Sequence, residues 1–178
     1  MKTDTIDIAI ENHVERSLVL VKPDGVRRGL SGEVFRRLEQ KALKLIALKM
    51  VRADEEQARE HYLFEDIGKR HGEAIWQQLL EYLQLGPVIA AVFEGVGAVS
   101  SVREILGGTE PSSAKPGTIR GDFCSQTYAF ANSAGMAVYN LVHASASREE
   151  AVREIDVWFS KDELFSYRRS DQAETHYK

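Results

Sequence analysis

The run Val88-Ile89-Ala90-Ala91-Val92-Phe93 is the most apolar in the chain, holds no polar side chain, and follows directly on Gly86-Pro87. It is too short for a buried helix, and its β-branched and aromatic members favour an extended backbone, so it reads as the central strand of a sheet. A central strand needs partners on its edges and helices over its surface. Further short apolar runs lie at residues 17–22, 45–51 and 140–143, each bounded by turn-forming residues.

Between these runs the period changes from strand-like to helical. Val34, Phe35, Leu38 and Ala42 share one helical face, as do Ile75, Leu79, Leu80 and Leu83. Asp54 with Gln57, and Ser147 with Glu150, have the spacing of N-terminal helix caps. Pro23-Asp24-Gly25 reads as a turn, residues 65–72 as a polar loop, residues 96–106 as a short helix and residues 149–159 as a helix with Ala151, Ile155 and Trp158 inward. The order strand, helix, strand, helices, strand, helix, long loop, strand, helix gives a βαββαβ rhythm. That predicts an α/β (α+β) domain of ferredoxin-like plan, a four-stranded antiparallel sheet with helices packed on it.

The expected organisation is an extension at residues 1–14, a domain at 15–160 with a segment at 125–139 reaching out from its body, and a charged tail at 161–178. Leu164, Phe165, Tyr167 and Tyr177 are the tail's candidate anchors. With 178 residues, 43% of them apolar, the chain can bury a core without staples. A net charge of −4 argues against a nucleic-acid sleeve, despite the pairs Arg27-Arg28, Arg36-Arg37 and Arg168-Arg169. The single cysteine, Cys124, has no partner in the chain for a disulfide. The N-terminus lacks the basic start and apolar block of a signal peptide, and no apolar run is long enough to span a membrane. A cytoplasmic location is expected.

The chemistry gathers at strand ends. Lys22 stands at the carboxyl end of the first strand, and His143 at the end of the last, facing a helix start where phosphate is well placed. Residues 107–121 are rich in glycine, proline and hydroxyl residues and carry Lys115 and Arg120, which suits an anion site.

Lys22-Pro23-Asp24-Gly25, Lys115-Pro116-Gly117-Thr118-Ile119-Arg120-Gly121-Asp122-Phe123 and Asn140-Leu141-Val142-His143-Ala144-Ser145, in that order, resemble the motifs of the nucleoside diphosphate kinases. The likeness runs from about Glu15 to Phe159. It implies an enzyme that moves the γ-phosphate of a nucleoside triphosphate to a nucleoside diphosphate, by a ping-pong route through a phosphohistidine, with Mg²⁺ on the nucleotide. His143 then corresponds to the nucleophile and Glu154 to the carboxylate on its other ring nitrogen, with Ser145 a donor to Glu154. Arg120 corresponds to the arginine on the transferred phosphate, Arg103 to one nearer the inner phosphates, and Thr109 to a hydroxyl donor between them. Lys22 and Asn140 correspond to the pair at the ribose 3′-hydroxyl, with Lys22 also reaching the phosphates. Tyr62 corresponds to the tyrosine beside the histidine.

The chain departs from that pattern in places. The family phenylalanine that stacks on the base falls near Ile75 or Trp76, with Ile75 the expected contact. Ala144 stands for a common glycine, Ala146 for a common aspartate, and residues 125–139 are longer than usual. The resemblance implies ATP, NDP and dNDP as substrates and a homo-oligomer, hexamer or tetramer, with Glu110 and Pro111 near its contacts. The alternative reading is a non-catalytic nucleotide-binding or scaffold member of the same family.

Overall fold

The computed structural model describes residues 13–171. Strands β1 (Val14–Val21), β2 (Lys44–Val51), β3 (Val88–Val96) and β4 (Val142–Ala144) form one four-stranded sheet in the order β2-β3-β1-β4, with every pairing antiparallel. This is the ferredoxin-like arrangement. The apolar run lies in β3, which is paired on both edges. Side chains alternate along a strand, so Val88, Ala90 and Val92 join Leu18 and Leu20 on one face, while Ala91 and Phe93 join Val19 and Val21 on the other.

Both faces are covered. Helix α1 (Pro23–Arg27) follows β1, and α2 (Ser31–Gln40) and α5 (Ala98–Leu106) bury Val34, Leu38, Val102 and Leu106 against the Val19 face. Helices α3 (Glu55–His61), α4 (Glu73–Gln84) and α8 (Arg148–Trp158) bury Ala58, Leu80, Leu83, Ile155 and Trp158 against the Leu20 face. Each fully buried leucine contributes about 1.5–3 kcal/mol through lost apolar hydration. The caps form as the spacing requires: Asp54 accepts from the Gln57 N–H at 2.8 Å, and Ser147 from the Glu150 N–H at 3.1 Å.

Several local expectations are corrected. Pro23-Asp24-Gly25 is not a free turn but the start of α1, with proline in the first turn where a missing N–H costs nothing. Residues 65–72 are helical rather than loop: a π-turn, Phe64–Gly68, runs on through Lys69–His71 and stops at Gly72 with φ 93°. Ala42 lies beyond the end of α2, in the left-handed region at φ 64°. The segment 107–123 contains a 3₁₀ turn, Pro111–Ser113, and α6 (Ile119–Phe123). Helix α7 (Tyr128–Ser133) occupies the segment 125–139.

The tail is docked as far as it is described. The Phe165 N–H donates to Ile46 O at 2.8 Å, the Tyr167 hydroxyl to Leu45 O at 2.7 Å, and Arg169 to Leu43 O at 2.9 Å. These carbonyls lie along the β2 edge beside its bulge at Leu45/Ala47. Of the expected extension at residues 1–14, residues 1–12 lie outside the described residues, as does the anchor Tyr177, and Val14 already belongs to β1. Among the described residues, no helix is long and apolar enough to cross a membrane.

Candidate active site

The register of the sheet places the histidine. His143 of β4 pairs with Leu20 of β1, and directly opposed residues in an antiparallel pair point to the same face. His143 therefore projects toward α3 and α8. The pairing continues past β1, with the Lys22 N–H donating to Leu141 O at 2.8 Å. Leu141 sits at φ 65°, a left-handed conformation that costs a side-chain-bearing residue about 1–2 kcal/mol. Asp24 holds it there: one carboxylate oxygen accepts the Leu141 N–H at 3.1 Å and the other the Tyr82 hydroxyl. The twist turns Asn140 back toward Lys22, whose ammonium donates to Asn140 Oδ1 at 2.9 Å.

From α8, Glu154 reaches back to the strand end. Its carboxylate lies 3.0 Å from His143 Nε2 and accepts from Ser145 Oγ at 2.6 Å. An ionised carboxylate only accepts, so this contact puts the imidazole proton on Nε2 and leaves the Nδ1 lone pair available. Burial, and then the positive Lys22, push the His143 pKa down, so the ring is neutral near pH 7. Burial pushes Glu154 the other way, against the donors that stabilise its charge.

His61 stands beside them, and sequence reasoning passed over it as a neighbour of Tyr62. It is buried, its ring 4.4 Å from that of His143 and edge-on to it. The Trp158 indole donates to His61 Nδ1 at 3.3 Å, which places the His61 proton on Nε2. Burial holds this ring well below the usual histidine range. The three-residue spacing from buried Ala58 was the signal that could have placed it inward.

Cations converge above the histidine. Lys22 is 4% exposed. Burial first, and then the Arg120 guanidinium, lower its pKa from 10.5 to about 7. Arg120 is itself buried, and donates to the carbonyls of Asn140 at 3.2 Å and Val142 at 2.7 Å and to that of Gly107. Those bonds fix the guanidinium plane and still leave an Nη2 hydrogen uncommitted. Burial, with Arg103 as a further cation, lowers the Arg120 pKa to about 10. Arg103 is exposed on α5 and has no ion pair among the described residues. These three cations line one cleft, which suits an anion.

Lys22, Tyr62, Ile75, Arg103, Thr109, Arg120, Asn140, His143 and Glu154 all line one cleft of about 560 Å³. Ser145 lies behind Glu154, fully buried. Thr109 is fixed through its carbonyl, which accepts from Asn140 Nδ2 at 3.1 Å. The Tyr62 hydroxyl is buried without a partner among the described residues, and its ring stands perpendicular to His143 at 6.2 Å. Burial raises its pKa well above the usual phenol, so it remains a donor. Ile75 and Trp76 are separated by the structure. Ile75 faces the cleft, whereas the Trp76 indole donates to Tyr62 O at 2.6 Å and packs in the core. The Glu110 carboxylate accepts the Tyr128 N–H at 2.8 Å and Pro111 is buried, both within the chain.

Among the described residues, the one group of three His/Cys/Asp/Glu side chains with ligand atoms close together is His61, His143 and Glu154. Glu154 is engaged by His143 and Ser145, and His61 Nδ1 by the Trp158 indole, and imidazoles suit zinc rather than the hard Mg²⁺. Elsewhere Lys22, Arg103 and Arg120 bring cations to the lining of the cleft. This donor set fits a magnesium ion carried in on phosphate oxygens, not one caged by side chains.

A ferredoxin-like sheet that presents a neutral, carboxylate-braced imidazole beneath clustered cations defines a phosphotransferase. The family model described as nucleoside diphosphate kinase matches residues 15–164. A nucleoside diphosphate kinase of Borreliella burgdorferi is 46% identical over 92% of this chain and 98% of its own. Rat nucleoside diphosphate kinase B is 42% identical over 88% and 93%. Among solved structures, a transition-state mimic of the Borrelia burgdorferi enzyme with bound vanadate and ADP superposes with a TM-score of 0.91 at 45% identity, covering 93% of this chain and 99% of that one. A Halobacterium salinarum nucleoside diphosphate kinase in complex with CDP gives 0.78 at 39% identity over 92% and 99%. The chain belongs to the nucleoside diphosphate kinase family.

Proposed function

We propose that this chain transfers the γ-phosphate of a nucleoside triphosphate to a nucleoside diphosphate through phosphate carried on Nδ1 of His143. The observation that carries the reading is the contact between Glu154 and Nε2, which leaves Nδ1 as the free nucleophile on the cleft side. Its lone pair forms the N–P bond while the bond from phosphorus to the β,γ-bridging oxygen breaks, and the nucleoside diphosphate leaves with that electron pair. The imidazole gains positive charge as the bond forms. Glu154, held by Ser145, stabilises it through the Nε2–H. A second nucleoside diphosphate then attacks the same phosphorus and restores neutral His143.

Phosphoryl transfer depends on positioning and charge neutralisation. Arg120 and the Tyr62 hydroxyl meet the transferred group, Arg103 and Thr109 the inner phosphates, and Lys22 with Asn140 the ribose 3′-hydroxyl. Ile75 gives the base an apolar contact. Since phosphates and ribose are common to all nucleotides, ATP, NDPs and dNDPs all qualify. Mg²⁺ bound to the phosphates neutralises charge and orients them. A cytoplasmic homo-oligomer, hexamer or tetramer, built on a 15–160 domain with an N-terminal extension and C-terminal tail, completes the proposal.

The test is incubation with Mg²⁺ and γ-labelled ATP, with His143→Ala as control. The expected product is acid-labile, base-stable label on the wild type alone, chased off by any NDP. Equal labelling of the variant would remove His143 from this role. Saturable nucleotide binding without label would leave only a nucleotide-binding scaffold.

A further inference from the structure

Asp24 and Gly25 follow Lys22 closely in the chain and take no part in the phosphate chemistry, yet both abut the segment that carries Asn140 and His143. The Val142 N–H donates to Asn140 O at 2.7 Å, which closes a three-residue γ-turn about Leu141. With Leu141 at φ 65°, this is the rare and strained hand of that turn. Its backbone groups are all committed. Asn140 O also accepts from Arg120 Nε at 3.2 Å, and Leu141 O accepts the Lys22 N–H at 2.8 Å. The Leu141 N–H is taken by the Asp24 carboxylate at 3.1 Å. Glycine at position 25 permits this approach of α1, since a Cβ there would stand 2.8 Å from Leu141 O and 2.9 Å from Val21 Cγ1.

Asp24 is held in turn by Tyr82. The hydroxyl, from the last turn of α4, donates to the second carboxylate oxygen, and both residues are buried. The Tyr82 ring stacks on Tyr139 at 4.8 Å and lies 5.0 Å from the Lys22 ammonium, which fixes the direction of the hydroxyl. Burial, and then the Asp24 charge, raise its pKa, so the phenol keeps the proton it donates. Hydrogen bonds to a charged acceptor are the strong ones, and a buried carboxylate oxygen left without a donor is costly. Without the Tyr82 hydroxyl the carboxylate turns to recover a donor, and the Leu141 N–H loses its acceptor. The strained turn then relaxes, and the Asn140 amide loses its fixed place between Lys22 Nζ and Thr109 O. Neither Asp24 nor Tyr82 lines the cleft, so an effect of either on a ligand has to pass through the turn.

We propose that Tyr82, acting through Asp24, is a positioning residue for the ribose end of the nucleotide: it holds the Leu141 turn and with it the Asn140 amide that meets the 3′-hydroxyl. This rests on the ribose contact of Lys22 and Asn140 proposed above.

The test is Tyr82→Phe, which keeps the stacked ring and removes only the hydroxyl, titrated by calorimetry with ADP and with 3′-deoxy-ADP. The wild type should bind ADP the more tightly of the two. Tyr82→Phe is expected to weaken ADP binding by about fivefold, the worth of one hydrogen bond. It should weaken 3′-deoxy-ADP by less than about twofold, because in that ligand the positioned amide has nothing to meet. Gly25→Ala, which presses on Leu141 O from α1, reaches the same turn by a second route and should show the same selectivity. Thermal melts establish which variants are folded at the assay temperature. Equal losses for both nucleotides in either folded variant, or an unaltered ADP affinity in Tyr82→Phe, overturns the proposal. A wild type that binds the two nucleotides equally would instead strike down the ribose contact itself, and the proposal with it.

Discussion

Replacing Lys22 with methionine should stabilise the free protein while ruining its activity. The side chain is 4% exposed, and its pKa falls from 10.5 to about 7. That difference corresponds to about 5 kcal/mol against holding the ammonium charged, at roughly 1.4 kcal/mol per tenfold. Methionine fills similar space without the charge, but deprives Asn140 Oδ1 of its donor, a loss of about 2–3 kcal/mol for a buried acceptor. The net gain at pH 6, where wild-type Lys22 is charged, is therefore about 2 kcal/mol. The sign of the pH dependence follows from the lowered value. Between about pH 7 and 10.5 the unfolded chain binds the proton more tightly than the folded one, so wild-type stability rises with pH through that window. By pH 9 the wild type has shed about 3 kcal/mol of the penalty, and the advantage of the variant should vanish. Urea denaturation of both proteins at the two pH values measures this. A difference between them that stays constant from pH 6 to 9, or a variant destabilised at both, would refute the electrostatic account.

The same lysine should make nucleotide binding take up a proton. At pH 8 Lys22 is mostly neutral when free, and an incoming diphosphate recharges it; calorimetry of ADP binding in buffers of different ionisation enthalpy should show uptake approaching one proton. No buffer dependence would count against Lys22 meeting phosphate. Glu154→Gln removes the charge beside Nε2 and leaves one amide oxygen to serve both His143 and Ser145. Quenched-flow phosphorylation by ATP should slow by about 10- to 100-fold, with ADP affinity within about twofold. A wild-type rate would mean that Glu154 does not stabilise the charge on the ring.

Local rules carried much of this protein's reading. The caps at Asp54 and Ser147, the alternation in β1 and β3, and the helical stripes of α2 and α4 are each set by neighbouring residues, so a contiguous stretch suffices to recognise them. The motifs around Lys22, Arg120 and His143 lie on short segments and declare their chemistry by residue type. Where the reading went wrong, turn chemistry was over-ruled by packing. Pro23 opens a helix because the following Asp24 is buried as an acceptor for Leu141 and Tyr82, and residues 65–72 wind because α4 lies against them.

What the sequence determined by itself was the set of elements and the reactive groups they carry: an imidazole, its carboxylate, cations and hydroxyls in a known order. Only the tertiary structure decided what state those groups are in. The pairing of Leu20 with His143 aims the ring, the left-handed Leu141 brings Asn140 to a lysine 118 residues away, and α7 lines the cleft with Thr109. Burial, tautomer and unpaired charge depend on which distant side chains exclude water from a group. That is fixed by contacts across the fold, not by neighbours along the chain.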